Sequence, residues 1–176
     1  MSKTEWTNAD IPDLEGRTIV ITGANSGLGL ESTRNLARAR ATVIMACRNA
    51  EKATRAVADI RASVPDAQIV VQQLDLASLA SVRSFSEALL TAGTPIDILM
   101  NNAGLMALDE SRTVDGFETQ IGVNHLGHFA LTGLLLPLVA AAPNGRIVSV
   151  SSDGHRPGKI HLDDLMCDQR RYSRWG

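Results

Sequence analysis

Three glycines stand directly after the first apolar run of the chain, at the spacing Gly-x-x-x-Gly-x-Gly. They belong to Thr22–Gly29, which reads Thr-Gly-Ala-Asn-Ser-Gly-Leu-Gly and precedes an amphipathic stretch. The first glycine permits a tight turn, the second lets the backbone approach a pyrophosphate, and the third lets a helix pack close to a sheet. The amides and dipole at the start of that helix favour phosphate. The segment predicts a dinucleotide-binding turn, with an ordinary glycine-rich turn as the alternative. Its candidate contacts are Gly23, Asn25, Ser26, Gly27, Leu28 and Gly29.

The second apolar run ends in Ala-Cys-Arg-Asn, at residues 46–49. In a dinucleotide-binding fold this strand end meets the adenosine ribose, where an acidic side chain binds the hydroxyls of NAD. Here the residue is Arg48, whose guanidinium pairs with a 2′-phosphate. Arg48 therefore predicts NADP rather than NAD as the coenzyme. The alternative is a solvated arginine at the start of a helix.

Five short, mostly apolar runs alternate with helical stretches along the chain. Such runs are typical of a parallel sheet that is covered on both faces, and helical crossovers give right-handed βαβ units. The sequence thus predicts an α/β fold, a Rossmann-type doubly wound parallel sheet of five strands in the order 3-2-1-4-5. The predicted strands are Thr18–Thr22, Ala41–Ala46, Gln68–Leu74, Ile96–Met100 and Arg146–Val150.

Four helices are predicted between these strands from apolar positions at helical spacing. The core-facing stripe of the first is expected to contain Leu28, Ser32, Leu36 and Ala39. The fourth is expected to be long and continuous from Phe117 through Leu135, with Pro137 kinking it or beginning its end. Residues 1–13 are interpreted as a tail, 14–152 as the dinucleotide-binding domain, and 153–176 as a loop.

Composition excludes several other kinds of protein. The 176 residues carry a net charge of −2 and only 3% aromatics, which disfavours nucleic-acid binding. The N-terminus has no apolar core of a signal peptide, and the apolar run Phe129–Ala142 is too short to span ~30 Å of hydrocarbon, so a cytoplasmic protein is expected. His125 and His128 lack an acidic or cysteine partner, so we interpret them as structural and predict no metal site.

Further motifs stand at the ends of the later strands and in the long helix. They are Leu74-Asp75-Leu76, Asn101-Asn102-Ala103-Gly104, the segment Val123–Phe129 (Val-Asn-His-Leu-Gly-His-Phe) and the segment Arg146–Ser152 (Arg-Ile-Val-Ser-Val-Ser-Ser). Together with the glycine-rich turn, this ordered set resembles the short-chain dehydrogenase/reductase family and, within it, the retinol-dehydrogenase-like branch. The resemblance covers the chain from about Leu14 to its C-terminus.

The resemblance implies coenzyme contacts at the ends of the third and fourth strands. Asp75 would contact the adenine, with Leu76 beside it. Asn102, Ala103 and Gly104 would lie against the ribose and brace the sheet. Judged from the residues alone, Asp75 is also suited to begin a turn and cap the next helix, and Asn102 to serve as a turn amide.

The resemblance also implies two residues that assist catalysis. Asn124 would hold a water in the proton path, and Ser152 would hydrogen-bond the substrate oxygen. The alternatives are a hydrogen-bonded core amide for Asn124, which lies on the apolar stripe, and a strand-end turn former for Ser152. The implied reaction is hydride transfer between the nicotinamide and a small carbonyl or alcohol substrate.

The family's proton donor is the tyrosine of a Tyr-x-x-x-Lys motif, which this sequence lacks. Its only tyrosine, Tyr172, has Gly176 where the lysine should stand, so Tyr172 is not expected to be catalytic. We expect that the motif and the C-terminal strands lie beyond Gly176 and that this chain is a truncated form without activity. The strand ending at Val150 is then an exposed apolar edge, which makes the chain poorly soluble or pairs with another copy.

Three functions remain open at this point. The first is an NADP-dependent oxidoreductase of which this chain is the N-terminal portion. The second is a non-catalytic NADP(H)-binding module, and the third is a truncated reading frame without function. The residues that would select the substrate are expected to follow the fifth strand, so the substrate is not predicted.

Overall fold

Five parallel strands form one sheet in the order β3-β2-β1-β4-β5 in the computed structural model, which describes residues 5–156 and 158–175. This confirms the predicted fold class and strand order; β1 has the predicted bounds, and the bounds of the other strands differ by one or two residues. Residues 1–4 of the predicted tail, and Pro157 and Gly176 of the predicted loop, lie outside the described residues. The strands are β1 (Thr18–Thr22), β2 (Thr42–Cys47), β3 (Ile69–Gln73), β4 (Ile98–Asn101) and β5 (Arg146–Ser149).

Three helices join the first four strands, and side-chain caps start two of them. They are α1 (Gly27–Arg38), α2 (Ala50–Ser63) and α3 (Leu79–Ala92). The Asn49 side chain accepts a hydrogen bond from the Lys52 amide to start α2, and Ser78 does the same for the Ser81 amide at α3. Helix α3 ends at Gly93, which has φ +66°.

The predicted long fourth helix is confirmed over Thr119–Ala141, which begins two residues after Phe117. It consists of α4 (Thr119–Ile121), a π-helical turn (Gly122–Gly127) and α5 (His128–Ala141). The π-helical turn was not predicted, because apolar spacing does not reveal a local change from α to π hydrogen bonding. Pro137 lies inside α5, which ends at Ala141, as expected for a proline late in a helix.

The sheet separates two hydrophobic clusters, one on each face. Successive residues of β1 point to opposite sides, so Val20 belongs to the cluster with α3 and α5, whereas Ile19 and Ile21 belong to the cluster with α1 and α2. All five residues of β1 are buried. The central strand is thus covered on both faces, which fixes the position of its C-terminal end.

The predicted core stripe of α1 is wrong at Leu28, which is 73% exposed, whereas Leu36 packs against the core as predicted. The buried residues of α1 are Gly29, Thr33 and Ala37. Small residues occupy this face because α1 packs close to the end of β1. A stripe chosen for large apolar side chains therefore misses the residues that pack most closely.

The stretch Thr119–Ala141 is 23 residues long and, by length and composition alone, could cross a membrane. The stretch is longer than the apolar run Phe129–Ala142, so the prediction that this part of the chain is too short to span a membrane is wrong. The most apolar part of the stretch is 39% buried within the protein, where Leu131 and Leu135 are fully buried against the sheet. Core helices pass the same length and composition test, so the finding is weak evidence for a membrane span.

The two outer strands are much more exposed than the centre of the sheet. All four residues of β5 are exposed. Val148 in this strand is 42% exposed, and Val150, just after the strand, is 44% exposed. Among the described residues β5 pairs only with β4, so its other edge is open, as expected. An open apolar edge strand is a surface for association with another chain.

We predict that Val148→Lys reduces self-association of this chain, because a lysine on an exposed edge opposes strand pairing. The matched control is Val70→Lys, on the opposite edge strand, where Val70 is 51% exposed. Light scattering after size-exclusion chromatography, over a range of protein concentrations, measures the effect. A wild-type chain that stays monomeric and melts cooperatively at every concentration contradicts the prediction.

Candidate functional site

The glycine-rich turn connects β1 to α1 through two residues in the left-handed region. Gly23 has φ +65° and Gly27 has φ +53°, a conformation that side-chain-bearing residues rarely adopt. The Gly23 amide donates to the Ala46 carbonyl at 2.9 Å, which ties the turn to the end of β2. A Cβ on Gly27 would meet no atom within 4 Å, so the backbone there is open to an approaching group.

The first turn of α1 carries no side-chain cap. Ser26 occupies the N-cap position, yet its hydroxyl makes no capping hydrogen bond. The exposed amides at the start of this 12-residue helix therefore remain available to an anion.

Gly29 allows α1 to approach the ends of β1 and β4. A Cβ on Gly29 would lie 2.5 Å from the Gly23 carbonyl oxygen and 2.6 Å from the Asn102 side-chain nitrogen. A Cβ on Gly23 would lie 3.0 Å from the Cα of Ala103. The glycine-rich turn and the segment after β4 are therefore in direct contact.

Thr22 is the polar link between these two segments. Its Oγ1 accepts hydrogen bonds from the Asn102 and Ala103 amides, both at 2.9 Å. Its carbonyl oxygen accepts a third from the Asn102 side chain at 2.8 Å. The prediction that Asn102 braces the sheet matches this geometry, whereas Thr22 itself was not among the candidate residues.

His128 completes this link from the first turn of α5. It is 6% exposed, and its Nε2 lies 2.8 Å from Thr22 Oγ1. Burial lowers the pKa of His128 below its ordinary value. These contacts are those expected of a structural histidine, and the sequence signal for them was a polar residue on the same helix face as Leu131 and Leu135.

Asn124 lies in the π-helical turn and holds the segment after β4. Its Oδ1 accepts from the Leu105 amide at 2.9 Å, and its Nδ2 donates to the Leu105 carbonyl at 2.8 Å. The alternative of a buried core amide is wrong, because Asn124 is exposed. π-helical turns often occur at functional sites, and here the turn places an amide beside Gly104, whose added Cβ would lie 3.7 Å from Asn124 Oδ1.

Asp75 and Leu76 follow β3 at the same edge of the sheet. Asp75 Oδ1 accepts a hydrogen bond from the Ala77 amide at 2.9 Å, so Asp75 begins a turn, as the alternative expected. It does not cap α3, because Ser78 occupies that position. Leu76 is buried, and its carbonyl oxygen would lie 2.5 Å from a Cβ on Gly127. The π-helical turn thus packs directly on the turn after β3.

Arg48 is exposed immediately after β2. A cleft of about 330 Å³ opens nearby, between the glycine-rich turn and α2. Its lining includes Asn25 and Ser26 on one side and Lys52, Arg55 and Asp59 on the other, and Arg48 is not part of it.

Ser152 and Tyr172 lie in the C-terminal part of the chain. Ser152 is exposed beyond the end of β5, and its Oγ accepts from the Gly154 amide at 3.2 Å, as a turn former does. The Tyr172 hydroxyl accepts from Gln120 Nε2 at 2.8 Å and donates to the Leu108 carbonyl at 3.2 Å. Burial raises the pKa of Tyr172, whereas a tyrosine that exchanges protons near neutral pH needs a lowered one.

The site therefore gathers at the carboxyl ends of the parallel strands, where ligands bind in doubly wound sheets. The structure brings the glycine-rich turn, Asn102–Gly104 and Asn124 into one hydrogen-bonded and packed unit. Asp75 and Leu76 join it through the π-helical turn. The Ser152 hydroxyl instead bonds within its own turn, to the Gly154 amide. Within the described residues, no group of three histidine, cysteine or acidic side chains is arranged to hold a metal ion.

Comparison with known proteins agrees with this architecture. Residues 17–162 match the family model described as short chain dehydrogenase. Retinol dehydrogenase 12 from Homo sapiens is 46% identical over 168 residues, which are 96% of this chain and 52% of that protein. A crystal structure of an uncharacterized protein from Mycobacterium paratuberculosis is 50% identical with a TM-score of 0.86, over 98% of this chain and 59% of the other.

A third relative is known with a bound nucleotide. It is a candidate short chain dehydrogenase from Escherichia coli CFT073 complexed with NADPH, 27% identical, with a TM-score of 0.72 over 93% of this chain and 65% of the other. The chain belongs to the short-chain dehydrogenase family of oxidoreductases, which use nicotinamide coenzymes, and within it to the retinol-dehydrogenase-like branch. It spans about half the length of the curated relatives that it matches.

We predict that Gly29→Ala destabilises the protein by about 1–3 kcal/mol, because the added methyl group has no space beside Gly23 and Asn102. Urea denaturation followed by circular dichroism measures the loss of unfolding free energy. The matched control is Gly133→Ala in α5, where an added Cβ meets nothing within 4 Å. The control should gain roughly 0.5–1 kcal/mol from helix propensity. Equal stabilities of Gly29→Ala and the wild type contradict the packing argument.

Proposed function

We propose that this chain binds NADP(H) at the carboxyl ends of β1, β2 and β4, as the coenzyme-binding portion of a short-chain oxidoreductase. The observation that carries the proposal is the glycine-rich turn, which is bent by two left-handed glycines and linked through Thr22 to Asn102 and Ala103. The bound nicotinamide would supply or accept a hydride.

The turn fits a diphosphate in shape and in charge. The α1 amides lack a side-chain cap, and the backbone at Gly27 has open space where a side chain would otherwise stand. Backbone amides at a helix start, with the positive end of the helix dipole, are a general phosphate site. We therefore assign the diphosphate to the amides that follow Ser26.

The charges beside the turn favour NADP over NAD. Asp59, the acidic residue of the cleft, is held by Arg34, whose Nη2 lies 2.6 Å from the carboxylate. Arg55 lies 3.7 Å from the Glu51 carboxylate, so Lys52 is the cation that gives the cleft a positive charge beyond these ion pairs, and Arg48 adds another cation at the end of β2. A 2′-phosphate carries the opposite charge, and the relative from Escherichia coli was crystallised with NADPH.

We further propose that these 176 residues alone do not turn over substrate. The sequence holds no Tyr-x-x-x-Lys, and the hydroxyl of Tyr172 is engaged by Gln120 and Leu108. A positioned general acid is worth ~10²–10⁴ in rate. Asn124 and Ser152 would assist such an acid but do not replace it, because neither side chain readily gives up a proton.

A non-catalytic NADP(H)-binding module is the second candidate function, and the occupied hydroxyl of Tyr172 favours it. Both functions require the same coenzyme site and differ only in whether a proton donor joins it. For the oxidoreductase, hydride transfer with a small carbonyl or alcohol is the reaction we propose, in keeping with the alcohol named in its retinol dehydrogenase relatives.

NADPH is expected to bind more tightly than NADH, and Arg48→Ala to remove most of that difference. A charge-assisted hydrogen bond contributes ~1.5–3 kcal/mol, so the variant should weaken NADPH binding about 10- to 100-fold. Isothermal titration calorimetry with both nucleotides measures this, with Arg61→Ala, at the far end of α2, as the control. Equal affinity of the wild type for the two nucleotides, or tighter NADH binding, contradicts the role of Arg48.

Aldehyde and ketone reduction by the chain is expected to be undetectable, even where NADPH binds. The measurement follows NADPH absorbance with a panel of aliphatic, aromatic and polyene carbonyl compounds. Turnover in the ordinary enzyme range of roughly 1–10³ s⁻¹ would show that another group of this chain supplies the proton.

A further inference from the structure

His128 contacts the candidate coenzyme site through one side chain and one backbone carbonyl. Its Nε2 lies 2.8 Å from Thr22 Oγ1, and its Nδ1 lies 3.1 Å from the carbonyl oxygen of Asn124. Both Thr22 and His128 are buried, at 0% and 6% exposure, so water does not substitute for these partners.

The neighbours of the ring determine where its proton lies. A carbonyl oxygen only accepts hydrogen bonds, so the contact with Asn124 requires the proton on Nδ1. In a neutral imidazole Nε2 is then an acceptor, and the Thr22 hydroxyl must donate to it. The two lone pairs of Thr22 Oγ1 remain for the Asn102 and Ala103 amides, which both lie at 2.9 Å.

We propose that His128 is a positioning residue for coenzyme binding, which aims the Thr22 hydroxyl so that the segment Asn102–Ala103 is held against the glycine-rich turn. This inference rests on the coenzyme site proposed above. The other acceptor near the hydroxyl, the Met100 carbonyl oxygen, lies 3.5 Å from Thr22 Oγ1, which is too long to orient it well.

The contact matters for the site because the held segment forms one side of the turn. Ala103 fits against Gly23, and the Asn102 side chain fits against Gly29, with contacts so close that an added Cβ would overlap. Loss of the acceptor at His128 frees the hydroxyl to rotate. The Asn102 and Ala103 amides then lose a fixed partner, and the turn loses its neighbouring wall.

A protonated ring would work against the same arrangement. Its Nε2–H would need a lone pair of Thr22 Oγ1, and both are occupied by backbone amides. Burial lowers the pKa of His128, and a charge on His125 lowers it further. Thr22 of β1, which contacts the ring at Nε2, is uncharged and adds no electrostatic shift of this kind. The folded protein therefore keeps the neutral ring, and with it the arrangement, until the pH falls through the lowered pKa of His128. The stability that the buried neutral ring contributes is complete above the ordinary histidine value of about 6.5 and declines as the pH falls below that value.

The test compares the wild-type chain with two variants by calorimetric titration with NADP⁺ at about pH 7.5 and by urea unfolding at about pH 7.5 and about pH 5.5. His128→Leu removes the acceptor, and His128→Gln keeps an oxygen that accepts the Thr22 proton but does not titrate. At the higher pH we expect the leucine variant to bind about fivefold to tenfold more weakly than wild type, and the glutamine variant within about twofold.

Unfolding by urea at the two pH values tests whether the buried ring is neutral. The unfolding free energy of the wild type should fall more between pH ~7.5 and pH ~5.5 than that of His128→Gln, because the variant lacks the histidine that gains a proton on unfolding. An equal fall in the two proteins, or unchanged NADP⁺ binding by a folded His128→Leu variant, overturns the proposal.

A measurement without nucleotide distinguishes failure of this inference from failure of the coenzyme site. Nitrogen-15 NMR of the free protein should show His128 as the Nδ1-protonated tautomer, and the Ala103 amide should exchange with solvent at least about fivefold faster in His128→Leu. If the wild type binds no NADP⁺ and these NMR results hold, the coenzyme proposal alone fails. An Nε2-protonated ring, or unchanged Ala103 exchange, refutes the role of His128.

Discussion

The hydroxyl of Thr22 is fully buried at the end of the central strand, and a buried hydroxyl must find all its partners within the protein. It does so by joining β1 to the chain that leaves β4, through the Asn102 and Ala103 amides, and by contacting His128 at the start of α5. Three segments far apart in sequence therefore meet at one oxygen atom. The shape of the glycine-rich turn depends on this junction, because Ala103 and the Asn102 side chain are the surfaces against which the turn packs.

The rest of the fold fixes this junction in place. Alternating residues of β1 enter two separate cores, so the strand is held from both faces and its last residue has little freedom. The neighbouring turns reinforce the same edge, since Asn124 clasps Leu105 and Gly127 packs on Leu76. Rigidity is thus concentrated at the centre of the sheet, whereas the outer strand β5 exposes apolar side chains such as Val148. A preorganised turn lowers the cost of ordering the chain when a ligand binds.

Local sequence patterns predicted much of this arrangement. Runs of β-branched residues located the strands, and the spacing of Gly23, Gly27 and Gly29 located the turn, because both depend on neighbouring residues. The buried face of α1 was not predicted, since close packing there selects Thr33 and other small side chains that a hydrophobic pattern ignores. The contact between Thr22 and His128 was also missed. It joins residues 106 positions apart, and no periodic pattern contains such information.

The most direct test of the central claim is a crystal structure of this chain grown with NADP⁺. The account predicts the diphosphate within hydrogen-bond distance of the first amides of α1, with Thr22 Oγ1 still accepting from Asn102 and Ala103. A nucleotide bound elsewhere, with the turn from Gly23 to Gly29 closed by its own side chains, contradicts the account. So does a diphosphate in the turn with the segment after β4 detached from Thr22.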